Sequence, residues 1–208
     1  MLFSTLIQTR ITFIALNIIS YSLFLPPIAA APGTAAPAAA PGPAGAPPLI
    51  KHVCQSGNPT FDADLCVRLL KSNEEARSAA DFHSLAMAIG KQGISHVNRT
   101  REHVENMFNK TAAGGAIEVC RKAYGGVMVT LKSAVNELKD PMTYNLASYD
   151  MLLAGTDSIG RCQDAVRRDN VTDEVVLSGN KAVVVFGLSG NKAVDEIRRQ
   201  DLTNYYIY

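Results

Sequence analysis

Tryptophan is absent from the 208-residue chain, and with it the indole platforms on which many carbohydrate-binding modules stack sugars. A surplus of either charge is missing too, since 20 Lys and Arg stand against 19 Asp and Glu. Binding to phosphates needs clustered excess basic side chains, so nucleic acid is excluded as a partner. Electrostatic docking to anionic lipid or to a polyanionic polysaccharide is excluded on the same ground. Strand signals are scarce, with no alternating apolar and polar runs and no Asn-Gly hairpin. No Cys-x-x-Cys pair occurs, so a zinc site is not expected. Ser158 lies in Gly155-Thr156-Asp157-Ser158-Ile159-Gly160, which is not the Gly-x-Ser-x-Gly elbow of a hydrolase. No phosphate-cradling loop is present. His83, His96 and His103 share one helical segment; the last two fall on one face with no third ligand between them. The acid pairs Asp62/Asp64 and Glu74/Glu75 read as helix-start charges. The chain is therefore expected to be no enzyme and to hold neither metal nor cofactor.

What is present begins with a leader. Residues 1–30 carry one charge, Arg10, ahead of the apolar stretch Ile11–Leu25 and the small-residue end Ile28-Ala29-Ala30-Ala31. That order is expected of a secretory signal peptide cut after Ala30. Its centre is shorter than the roughly 20 residues that span a bilayer, so no membrane attachment is expected in the mature form. Without Arg10 the chain has 19 basic against 19 acidic residues and is neutral. Residues 31–48 contain only eight Ala, six Pro, three Gly and Thr34, the composition of an extended polyproline-like spacer. Its four Ala-Pro pairs resemble units that plants hydroxylate and decorate with arabinogalactan, an undecorated linker being the alternative. Residues 49–200 suffice for one domain with a single core, followed by a tail at 201–208. The sequons at Asn98, Asn109 and Asn170 agree with export and are expected to carry N-linked sugar.

Apolar periodicity predicts helices over 49–56, 62–71, 79–109, 116–139, 144–167 and 172–200. In the fifth, Tyr149, Leu152, Leu153, Ile159, Cys162 and Val166 are expected inward; in the sixth, Val175, Val176, Val183, Val184, Phe186, Val194 and Ile197. Asp140-Pro141 stops the fourth. Leu-Ser-Gly-Asn-Lys-Ala-Val occurs at 177–183 and again at 188–194. An offset of 11 residues is three helical turns, which puts both copies on one face. Gly179, Gly187, Gly190 and the run Val183–Val185 are nonetheless poor helix material. The fold class expected is all-α, an antiparallel four-helix bundle with an N-terminal helical hairpin.

Four cysteines follow the leader, Cys54, Cys66, Cys120 and Cys162, and in an exported chain read as two disulfides with three possible pairings. Were they paired as neighbours, loop entropy would contribute roughly 3 and roughly 4 kcal/mol.

Three segments carry a resemblance. Cys54 and Cys66 sit in a short hairpin, the second followed by Val67-Arg68-Leu69-Leu70. Cys120-Arg121-Lys122-Ala123-Tyr124 precedes Leu131 and Leu138. Leu153-Ala154-Gly155 stands ahead of Cys162-Gln163-Asp164-Ala165. In combination, over Val53 to Val184, these resemble the plant pectin methylesterase inhibitor and invertase inhibitor family. The resemblance implies a four-helix bundle with a protruding hairpin and disulfides joining Cys54 to Cys66 and Cys120 to Cys162. It also implies a non-catalytic protein that binds a carbohydrate-active enzyme one to one and blocks its substrate cleft. Invertase inhibitors of the family use a Pro-Lys-Phe motif after the third-cysteine helix, where this chain has Pro141-Met142-Thr143-Tyr144. Leu153 stands where the family has a small Ser. The expected function is therefore that of a secreted inhibitor of pectin methylesterase in the cell wall. Its contacts are expected from outward positions of the two disulfide-joined helices: Lys132, Asn136, Asp150 and Asp157. The alternatives are an inhibitor of acid invertase and a non-inhibitory glycosylated cell-wall or pollen surface protein.

Overall fold

The computed structural model describes residues 48–55, 57–59, 61–111 and 114–205. The leader expected over 1–30 and the spacer residues 31–47 lie outside the described residues, as do tail residues 206–208. The described residues are helical, without strands. In chain order the helices are α1 (Pro48–Val53), α2 (Ala63–Lys71), α3 (Glu74–Arg77), α4 (Phe82–Thr111) and α5 (Ala116–Glu137). They continue with α6 (Tyr144–Leu153), α7 (Ile159–Arg168) and α8 (Glu174–Tyr205). A 3₁₀ turn, Pro141–Thr143, leads into α6, and a π-helical turn, Ala154–Ser158, joins α6 to α7 as one rod.

Local chemistry sets the starts. Pro48, expected in the spacer, is instead the first residue of α1, where a proline forfeits only an N–H that has no helical partner. Asp62 accepts from Leu65 N–H at 2.8 Å to cap α2, and Asn73 accepts from Ala76 N–H at 3.1 Å to cap α3. Asp81 accepts from Ser84 N–H at 2.7 Å, so α4 begins at Phe82 and not at Ala79. The same backbone N–H and the Ser84 hydroxyl hold the Asp81 carboxyl below the usual carboxylate range. Asp173 caps α8 through Val176 N–H at 3.0 Å. The cap of α5 comes from another helix end: Asp169 Oδ2 accepts from Ala116 N–H at 2.8 Å. At its far end α8 runs past Gln200 to Tyr205, because no Gly or Pro follows Gly190 to stop it.

The rod α6–α7 and helices α4, α5 and α8 pack in a ring, each against two neighbours. The His83 ring N–H donates to Leu138 O at 2.8 Å, and Arg121 meets Glu105 at 3.9 Å, so α4 and α5 are antiparallel. The His103 ring donates to Asp173 at 3.0 Å where α4 ends and α8 begins. Ser148 Oγ donates to Asp195 at 2.6 Å, placing the start of α6 beside the later part of α8. Cys120 and Cys162 are disulfide-bonded with Cα atoms 4.4 Å apart, which joins the start of α5 to α7. The second bond, Cys54–Cys66, closes the hairpin of α1 and α2. Ile50, Val53 and Leu70 bury the hairpin against the bundle. His52 donates to Glu196 at 2.6 Å, Lys192 donates to Gln55 O, and Gln92 donates to Leu69 O at 2.9 Å. Converting both Cys120 and Cys162 to Ser is expected to cost about 4 kcal/mol on the loop-entropy estimate, read from urea unfolding.

The glycines that weaken the last helix in isolation are the points where it meets its neighbours. A Cβ on Gly187 would sit 2.4 Å from Gly155 Cα, and one on Gly179 would sit 2.6 Å from Thr100 Cγ2. Gly190, the matching residue of the second Leu-Ser-Gly-Asn-Lys-Ala-Val copy, leaves room for the thioether of Met151, 2.8 Å from the position a Cβ would take. The neighbouring asparagines match as well. Asn180 accepts from Tyr124 Oη at 2.8 Å, and Asn191 donates to Ser148 O at 3.1 Å. Both copies thus present Gly-Asn to the core, and tertiary packing outweighs the helix propensity that glycine and β-branched residues lack.

Three expectations of burial are overturned. Tyr149 is 61% exposed, Leu152 38% and Val175 44%. On α6 and the π-helical turn the buried positions are Ala147, Ser148, Met151, Ala154, Gly155 and Ser158. Apart from Met151, small residues face inward because the backbones approach closely there, and Leu146, Tyr149 and Leu152 are left on the outside.

Candidate protein-binding face

The disulfide Cys120–Cys162 and the Asp140-Pro141 turn hold α5 and the α6–α7 rod side by side. Lys132 and Asn136 are exposed on α5; Asp157 is exposed on the π-helical turn and Asp150 is half-buried on α6. Asn136 Oδ1 accepts from Lys139 Nζ at 3.1 Å, an exposed contact that a partner can displace.

The apolar part of this face was missed in the sequence. Val129 is 68% exposed on α5, Met142 86% on the 3₁₀ turn and Leu146 54% on α6, which also exposes Tyr149 and Leu152. Met142, Leu146 and Tyr149 recur at intervals of four and three, one stripe on the outer side of the rod. Large apolar side chains exposed in one stripe are what protein-binding patches are built from. The available signal was the alternation along α6 and the π-helical turn between small residues, Ala147, Ser148 and Ala154, and large ones. It reads as a close-packed seam backed by an outward apolar stripe.

The histidines serve the scaffold. His83 and His103 hold helix ends through the contacts above, and His52 holds the hairpin. Burial works to raise the Asp173 carboxyl, but Val176 N–H and the His103 ring outweigh it and keep that carboxyl below its ordinary range. His96 lies 5.7 Å from the Phe186 ring, its Nε2 buried without a protein partner. Burial, with Arg99 nearby, pushes its pKa below the usual 6.5. A group more easily protonated in the unfolded chain withdraws stability as pH falls from 6.5 through its folded value. Thermal midpoints are expected to drop over that window, and His96→Phe is expected to flatten the drop. Among the described residues no three His, Cys, Asp or Glu side chains converge as a metal site, and no helix is long and apolar enough to cross a membrane.

The family model for the plant invertase/pectin methylesterase inhibitor matches residues 48–194. Among solved structures, the chain is similar to the crystal structure of mutant form A of a pectin methylesterase inhibitor from Arabidopsis. The two share 14% identity with a TM-score of 0.45, over 63% of this chain and 87% of that one. No curated protein sequence matches. The family match begins at the first residue of α1, spans both disulfides and covers well over half of the 208 residues; this chain belongs to the plant invertase/pectin methylesterase inhibitor family.

Proposed function

We propose that the chain is a secreted, non-catalytic inhibitor of pectin methylesterase that binds one to one and covers the substrate cleft of that enzyme. The observation that carries this reading is the exposed apolar stripe of Met142, Leu146 and Tyr149 on the disulfide-joined helices of a protein in this family. Lys132, Asn136, Asp150 and Asp157 form its polar rim and supply register more than affinity. The leader, the sequons and two disulfides agree with an oxidising, extracellular compartment.

The invertase reading is less favoured by the turn after α5. Met142 points its thioether outward where that reading calls for a Lys. Thr143 is committed to the scaffold, donating to Glu137 O at 2.6 Å and Asp140 O at 2.9 Å. The test is titration of the purified protein against one plant pectin methylesterase and one acid invertase. Loss of esterase activity at one equivalent, with invertase untouched, is expected. Full esterase activity at large molar excess overturns the proposal, and inhibition of neither enzyme supports a non-inhibitory surface protein.

A further inference from the structure

The outer face of α4 is as polar as that of α6 is apolar. Lys91, Ser95, Asn98, Glu102 and Asn109 are exposed along it, and none of the exposed large apolar side chains among the described residues lies on this helix. Two of the three Asn-x-Thr acceptors share this line. Asn98 and Asn109 are 11 residues apart, three turns, or about 16 Å along the axis. Between them Asn98, Arg101, Glu102, Glu105 and Asn106 line a shallow polar depression. Asn98 Nδ2 donates only to Glu102 Oε1, at 2.8 Å on the surface, and is free to swing outward. Helix α4 packs on α5 and α8, so it lies diagonal to the α6–α7 rod, with the core between them.

We infer that α4 carries two N-linked oligosaccharides, at Asn98 and Asn109, and that these make the bundle two-sided. Sugar covers the α4 side, the third acceptor, Asn170, lies in the turn beyond the end of α7, and the apolar side of α6 is the one left open to a protein partner. This rests on the secretory reading proposed above. In the modification, the Asn side-chain nitrogen bonds to the anomeric carbon of an oligosaccharide held on a lipid pyrophosphate. The carbon–oxygen bond to phosphate breaks, the lipid pyrophosphate leaves with the electron pair, and the amide gives up one proton. Thr100 completes the first acceptor before folding; in the folded chain it is buried, donating to His96 O at 3.2 Å. The exposed asparagines, not this threonine, are therefore the positions to change.

The experiment expresses the full chain in a plant secretory host and maps glycopeptides before and after N-glycosidase. Both Asn98 and Asn109 are expected to be occupied, and Asn98→Gln and Asn109→Gln each to lose one glycan with inhibition of pectin methylesterase unchanged. The variant Leu146→Asn, with Ala147 and Ser148 following it, completes a new Asn-x-Ser acceptor on the bare side. Its secreted, glycosylated form is expected to inhibit at least tenfold more weakly than the same variant made without sugar in a bacterial periplasm. A chain retained in the cytosol overturns both the secretory reading and this inference. A chain that is secreted with both asparagines bare overturns this inference alone. Tenfold tighter inhibition once the α4 glycans are removed overturns the two-sided arrangement, since it places the partner on α4.

Discussion

Replacing Tyr149 by Ala is expected to raise the inhibition constant against pectin methylesterase about 30-fold, the effect of losing a hot-spot aromatic of roughly 2 kcal/mol. The ring is large, rigid and amphipathic, and the residue is 61% open to solvent in the free protein. An enzyme cleft that closes over it removes apolar area from water at little entropic cost, since only two torsions are frozen. Stability is expected to hold within about 0.5 kcal/mol, because an exposed side chain leaves no cavity behind. Lys132→Ala is the control. A rim charge is expected to change affinity by no more than about threefold, and mostly through a salt-dependent association rate. Inhibition assays at two ionic strengths distinguish the two. If Tyr149→Ala inhibits like the parent and Lys132→Ala does not, charge and not apolar contact drives the complex.

The second large effect is on stability. Gly187→Ala adds one methyl group, which ordinarily favours a helix interior by about 1 kcal/mol. Here the new Cβ falls 2.4 Å from both Cα and N of Gly155, backbone atoms that no rotamer change can move away. The helices must separate at their closest crossing, opening the seam that Met151 and Val184 line. A cost of about 3 kcal/mol is expected, the upper end for overpacking, or roughly 6–12 °C of midpoint in a domain of this size. Gly126→Ala is the matched control. It lies in the interior of α5 with nothing within 4 Å of its Cβ position, and a gain of about 1 kcal/mol is expected. Calorimetry on the two variants tests whether the crossing, and not glycine content, governs this fold.

Much of the architecture was legible because it is written in local signals. Asp62 and Asp64 mark a helix start and Asp140-Pro141 a stop, so several bounds follow within a few residues, while α3, capped by Asn73, and the start of α4 after Asp81 come from the structure. The end of α8 falls later than expected because the polar stretch after Ile197 reads as a tail, while nothing in it prevents a helix from continuing. The inward assignment of Tyr149 and Leu152 fails for a different reason. Periodicity weighs side chains by hydrophobicity, and a seam built from Ala, Ser and Gly has little to weigh. The apolar stripe proposed as a binding surface escapes the sequence in part for the same reason: Tyr149 and Leu152 pass for core.

By itself the sequence determined the all-α class, the four cysteines in a family pattern, the near balance of charge and the repeat spacing of 11 residues. Each of these depends on neighbours in the chain or on composition, so no packing had to be known. Which side of α6 faces water was decided only by the tertiary structure. So was the use of Gly155, Gly179, Gly187 and Gly190 as contact points. Those choices depend on how closely two backbones approach, a distance between segments far apart in the chain. The same approach that buries the small residues turns Leu146 and Tyr149 outward, and the surface proposed to meet the partner follows from it.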